Sequence, residues 1–112
     1  MFITIITPTF NSEKFISKNL SSVFSQKYRD LEHIFIDNNS SDRTKDILNE
    51  YKKKCNYKVK IISEKDKGIY FAFNKGLINA KGDVVTILNS DDYFSNKEVI
   101  RNTLKYFKKQ NI

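Results

Sequence analysis

Residues 2–7 read FITIIT, apolar and β-branched almost throughout. A strand with one wet face alternates polar and apolar residues, because successive side chains point to opposite faces. FITIIT does not alternate. It reads as a strand covered on both faces, the kind found in parallel sheets flanked by helices. Pro8 is predicted to stop it, since proline cannot donate to a ladder.

Working outward, Asn11 or Ser12 is placed to cap a helix whose Ile16, Leu20, Val23 and Phe24 recur at helical spacing, ending near Gln26. LEHIFID, 31–37, is a second strand. The turn NNSSDR follows, with Ser40 or Ser41 capping a helix that turns Ile47, Leu48 and Tyr51 inward. KVKIIS, 58–63, is the third strand. A third helix starts near Gly68 and carries the stripe Ile69, Ala72, Phe73, Gly76, Leu77 and Ala80. Within it Gly76 allows close approach to the sheet, and Gly82 reads as the stop. DVVTIL, 83–88, is the fourth strand, read as buried. SNKE then matches a capping box, Ser95 with Glu98, opening a helix with Ile100, Thr103, Leu104 and Phe107 on its apolar side.

This alternation predicts an α/β fold of one domain, 1–112. It implies a parallel sheet of about four strands with right-handed crossovers and helices on both faces, a three-layer α/β/α arrangement. Composition agrees: 39% hydrophobic and 29% charged residues suit a globular chain rather than a disordered one. No stretch is long and apolar enough to span a bilayer, and the N-terminus lacks the basic and small-residue features of a secretory signal. The single cysteine, Cys55, sits at a Lys-rich helix end and reads as an incidental thiol, so the cytoplasm is the expected compartment. The net charge of +7 raises nucleic acid or an anionic membrane face as partners. The lysines are spread along the chain, however, and no nucleic-acid recognition motif accompanies them.

In parallel sheets ligands collect beyond the carboxyl ends of the strands. Here those ends carry Thr7, Asp37, then Glu64 and Asp66, then Asn89, Ser90, Asp91 and Asp92. Adjacent carboxylates repel unless a cation separates them, although an Asp pair also suits a turn. The first strand–helix turn, TPTFNSEKF, has no glycine, which excludes a dinucleotide fingerprint, and no segment matches a P-loop. One histidine, His33, and one cysteine offer no soft-metal site. Oxygen ligation remains, which suits Mg or Mn held by one or two carboxylates and a substrate diphosphate.

Five segments in order, TPTFN, SVFSQ, IDNNSSDRT, SEKDKGIYFAFNKG and AKGDVVTILNSDD, resemble the N-terminal, nucleotide-sugar-binding half of a family-2 glycosyltransferase. The resemblance covers the whole chain and implies a Rossmann-like, GT-A type sheet. It also implies transfer of a sugar from a nucleotide diphosphate to an acceptor hydroxyl, usually with inversion. Thr7, Pro8 and Thr9 resemble the loop along the nucleoside, Asp37 the acid contacting base or ribose, and Asp66 a loop flanking the nucleotide. Asn89, Ser90 and Asp91 align with the D-x-D motif, so Asp91, with Asp92 beside it, is the expected ligand of a divalent cation, Mg or Mn. Expected partners are a nucleotide-diphosphate sugar and a glycan or lipid-linked acceptor, with the inner membrane face and self-association as further possibilities. A complete domain of the family is much longer, so the acceptor-binding half and the general base are expected beyond residue 112. The chain departs from the family pattern in three places: Asn38 and Asn39 follow the strand-two acid, Asn89 replaces the first Asp of D-x-D, and Phe71 stands where relatives reading GIYDAMNKG have Asp.

Overall fold

Strand and helix alternate as predicted: β1 (Ile3–Thr9), α1 (Ile16–Phe24), β2 (Leu31–Asp37), α2 (Thr44–Lys54), β3 (Lys58–Ser63), α3 (Ile69–Asn79), β4 (Val84–Ile87) and α4 (Val99–Lys109). The computed structural model describes residues 1–65 and 68–109. All four strands are parallel and lie in the order β3-β2-β1-β4. The two strands that lack alternation, β1 and β2, occupy the centre, where burial on both faces demands apolar residues throughout.

Side chains of successive residues feed two separate cores. Ile3, Ile5, Leu31 and Phe35 pack with Leu20 and Val23 of α1, Leu48 of α2, and Ile100 and Leu104 of α4. On the other face Ile6, Ile34 and Ile36 pack under Ala72 of α3. Three helices therefore cover one face and α3 the other. Gly76 permits this second contact: a Cβ there would lie 2.6 Å from Ile6 Cγ2 and 2.9 Å from Ile6 Cδ1.

Several local expectations are corrected. Pro8 does not end β1, which continues through Thr9 paired with Asp37. Thr9 O accepts from Asn38 N–H on the β2 side, while Leu88 N–H donates to Ile6 O on the β4 side. The nitrogen of Pro8 thus faces β4 beyond Ile87, where that ladder has ended and no donor is needed. β4 is an edge strand rather than a buried one, with Val85 37% and Ile87 41% exposed. Leu77, assigned to the inward stripe of α3, is half exposed.

Helix starts also differ from the predicted caps. Ser12 O accepts from Phe15 and Ile16 N–H in a turn before α1. Ahead of α2, whose N-cap position is Arg43, Asp42 Oδ1 accepts Thr44 N–H at 2.9 Å, while Ser40 is engaged by Asp37. Before α4, Asn96 Oδ1 accepts Glu98 N–H at 2.8 Å, while Glu98 is drawn to Lys27 and Arg101 instead of to Ser95. Gly82 is not a helix stop, since α3 ends on an extended Ala80. A Cβ on Gly82 would come within 2.6 Å of Thr4 N, so glycine is needed for close approach to β1. Among the described residues no helix is long and apolar enough to cross a membrane.

Candidate functional site

The carboxyl ends of the strands open onto a cavity of about 320 Å³. Pro8 and Thr9 of β1, Asn38 after β2, Gly68 just before α3, Ala72 of α3, and Asn89 and Ser90 after β4 line it. Segments far apart in the chain meet here because each parallel strand ends on the same side of the sheet. Two larger clefts, about 450 and 550 Å³, flank α1, but neither is lined by a residue expected at the site.

Asp37 is fully buried at the rim of this region. Its Oδ1 accepts from Thr9 Oγ1 at 2.7 Å and Ser40 Oγ at 2.6 Å, and its Oδ2 from Ser40 N–H and Ser63 Oγ, both at 2.9 Å. A carboxylate has about four acceptor positions, and these four donors fill them. Asp37 therefore ties the ends of β1, β2 and β3 together, and its neighbour Asn38 is the residue that faces the cavity. The same turn is fixed from the β1 side. Asn11, at φ 45°, accepts Ser41 N–H at 2.9 Å, and Ser12 N–H donates to Thr44 Oγ1 at 2.8 Å.

Of the three residues expected along a nucleoside, Pro8 and Thr9 line the cavity. Thr7 turns into the core, hydrogen bonded to His33 Nε2 at 2.8 Å. His33 is buried, and loss of hydration pushes its pKa down to about 3, so the ring is neutral. Asn89 and Ser90 line the cavity, and Asp91 and Asp92 stand exposed on the turn that follows, closed by Asp92 N–H to Asn89 O at 3.0 Å. Among the described residues neither carboxylate forms an ion pair. Asp66 lies outside the described residues.

Sequence reasoning did not assign Asn38, Gly68 or Ala72 to the site. Gly68 adopts φ 125°, a conformation open to glycine alone, immediately before α3. A glycine between a strand and a helix start was the available signal, because it lets the helix N-terminus and its partial positive charge face a cavity.

A family model described as Glycosyl transferase family 2 matches residues 4–112. Over 111 residues the chain is 35% identical to a Methanococcus voltae protein, dolichyl N-acetyl-alpha-D-glucosaminyl phosphate 3-beta-D-2,3-diacetamido-2,3-dideoxy-beta-D-glucuronosyltransferase, covering 96% of this chain and 34% of that one. The crystal structure of S. aureus TarS 1-349 in complex with UDP-GlcNAc matches with TM-score 0.88 and 32% identity, over 99% of this chain and 32% of the other. The mannosyltransferase PcManGT from Pyrobaculum calidifontis, in complex with GDP-Man and Mn2+, matches with TM-score 0.87 and 27% identity, over 94% of this chain and 32% of the other. This chain thus spans about a third of the length of these relatives. The family model, extending from the second residue of β1 through α4, agrees with the strand order and with the loops gathered at the cavity: the chain belongs to glycosyl transferase family 2.

Proposed function

We propose that this chain binds the nucleotide diphosphate of a sugar donor in the cavity at the strand ends, as the donor-binding part of an inverting, metal-dependent glycosyltransferase. The observation that carries the proposal is the convergence of Pro8, Thr9, Asn38, Asn89 and Ser90 on one cavity, with Asp91 and Asp92 on the adjoining turn. Similar structures in complex with UDP-GlcNAc and with GDP-Man and Mn2+ support it. Pro8, Thr9 and Asn38 would lie along the nucleoside, with Asp37 holding that wall in place. Asp66 would flank the nucleotide, and the start of α3 would face the phosphates.

The donor set at the turn fits a hard divalent cation, Mg or Mn. Among the described residues no cluster of three or more His, Cys, Asp or Glu could hold a metal unaided. Two unpaired carboxylates plus phosphate oxygens from the donor would suffice, because these ions keep few protein ligands and share substrate phosphates. Asp91 would be the ligand, with Asp92 beside it. When bound, the cation supplies positive charge against the departing diphosphate. The general base for the acceptor hydroxyl falls to the part of the family's domain that follows the NSDD loop. A glycan or lipid-linked acceptor completes the reading, supported by a poly(ribitol-phosphate) transferase and a dolichyl-phosphate-sugar transferase among the relatives; a place at the cytoplasmic membrane face belongs to the same proposal.

Titration with UDP, GDP and dTDP, with and without Mn2+, tests it. One nucleotide should bind, more tightly with Mn2+, and Asp91→Ala should remove the metal dependence. Failure of all three to bind, with salt-sensitive capture of RNA or DNA instead, would replace this reading with that of a basic nucleic-acid-binding protein. Release of free nucleotide from a UDP-sugar or GDP-sugar reads transfer separately.

A further inference from the structure

We propose that Asn19, Ser22 and Gln26 are positioning residues that hold the acidic loop, residues 89–96, against the sheet, so that Asp91 and Asp92 stand at the cavity mouth. This deepens the donor-binding reading and, for its ligand readout, rests on it.

A helix packed on a sheet buries apolar residues, and α1 does so with Ile16, Leu20 and Val23. Beside them it also buries Asn19, at 0% exposure, and Gln26, just past the helix, at 2%. Amides taken out of water are costly unless each finds a partner. Apart from a bond from Gln26 Nε2 to Ser22 O at 3.1 Å, the partners come from one distant segment. Asn19 Nδ2 donates to Asn89 O at 2.9 Å, and Ser22 Oγ accepts Phe94 N–H at 3.0 Å. Gln26 Nε2 donates to Asn96 O at 2.6 Å, and Gln26 Oε1 accepts Ile100 N–H at 3.0 Å. Positions 19 and 22 share one side of α1, and Gln26 continues the line just past the helix end, so the contacts form a rail. Residues 88–98 form neither helix nor strand, and their backbone groups need partners from elsewhere.

Asn19 separates a positioning role from a merely stabilising one. Among the described residues its Oδ1 is buried without a hydrogen-bond partner. A buried acceptor left unmet lowers stability, and an apolar side chain of the same shape would be tolerated as well or better. Stability therefore does not account for an amide at this position. Its bond to Asn89 O does, because it fixes the residue from which the turn to Asp91 and Asp92 departs.

The test compares wild type with Asn19→Leu and Ser22→Ala, and with Ser17→Ala on the exposed side of α1 as control. Asn19→Leu should keep the wild-type urea midpoint, while amides of residues 89–94 lose hydrogen-exchange protection. Its affinity for Mn2+ with UDP or GDP should fall about 10- to 100-fold, the usual cost of removing a partner that orients a metal ligand. Ser22→Ala retains a good helix former and should release the Phe94 amide. Should both variants keep wild-type protection in the loop, the proposal is overturned, whatever the ligand result. Wild-type protein that binds neither Mn2+–UDP nor Mn2+–GDP would defeat the donor-binding reading alone, since the exchange measurement still decides the positioning role.

Discussion

At Asp37 a sequence shows an acid at a strand end and nothing of its surroundings. The structure surrounds it with four donors from Thr9, Ser40 and Ser63. An acid that met only a ligand would be neutral for stability in the free protein. Asp37→Asn should instead destabilise the ligand-free chain by about 2–3 kcal/mol in urea unfolding, because its amide nitrogen would face donors and hydrogen bonds to a charged acceptor are lost. His33 was legible as a strand residue, but its partners lie 26 and 18 positions away, at Thr7 and Tyr51. Tyr51 OH in turn meets Tyr57 OH at 2.5 Å, a buried polar chain that burial holds neutral by raising both phenols. With its pKa lowered from 6.5 to about 3 on folding, His33 binds a proton in the unfolded chain before it does in the native one. Its contribution is therefore complete above pH 6.5 and is lost as pH falls toward 3, with a slope approaching ~1.4 kcal/mol per pH unit. In thermal unfolding between those limits, His33→Gln should show a shallower acid limb than wild type; equal slopes would show that His33 is not the group that titrates.

Among the elements, order and face were readable because hydrophobic period is a property of neighbouring residues. The alternation of four strands with four helices, the inward side of α2 and the need for glycine at position 76 all followed from it. Caps were not readable. Ser40, Asp42, Asn96 and Glu98 all lie near helix starts, yet Ser40 is claimed by Asp37 and Glu98 by Lys27 and Arg101, and Asp42 and Asn96 accept N–H groups in the turns ahead of the helices. Nor was the exposure of β4, since VVTI looks equally apolar in a central strand or at an edge. The contact of α3 with β1 can be tested directly. Gly76→Ala gains helix propensity worth about 1 kcal/mol, but the new methyl overlaps Ile6, which is fully buried. Overpacking should outweigh the gain and leave a net loss of roughly 1–2 kcal/mol. Adding Ile6→Val, which removes the Cδ1 methyl, should recover part of it, and a double-mutant cycle on urea unfolding measures the coupling.

For the whole molecule the two edges of the sheet differ in kind. β3 carries Lys58 and Lys60 along its length, charges of the sort that discourage pairing with another chain. β4 carries Val84, Val85, Thr86 and Ile87 and no charge; Val84 packs against the core, while Val85 and Ile87 are left open because α3 sits over β1 and β2. An apolar edge with unpaired backbone groups is a template for a further strand. A second copy can supply it by pairing β4 with β4, which would join two sheets into one. The net charge of +7 opposes that encounter, so association should strengthen as salt screens the repulsion. Binding to nucleic acid changes in the other direction, weakening with salt as counterions are no longer released at a gain. Sedimentation velocity across concentration and salt therefore distinguishes two consequences of the same charge. The wild-type chain should shift toward dimer at high concentration and high salt, and Val85→Lys with Ile87→Lys should hold it monomeric. A monomer under every condition would mean that β4 is protected by something other than a partner strand.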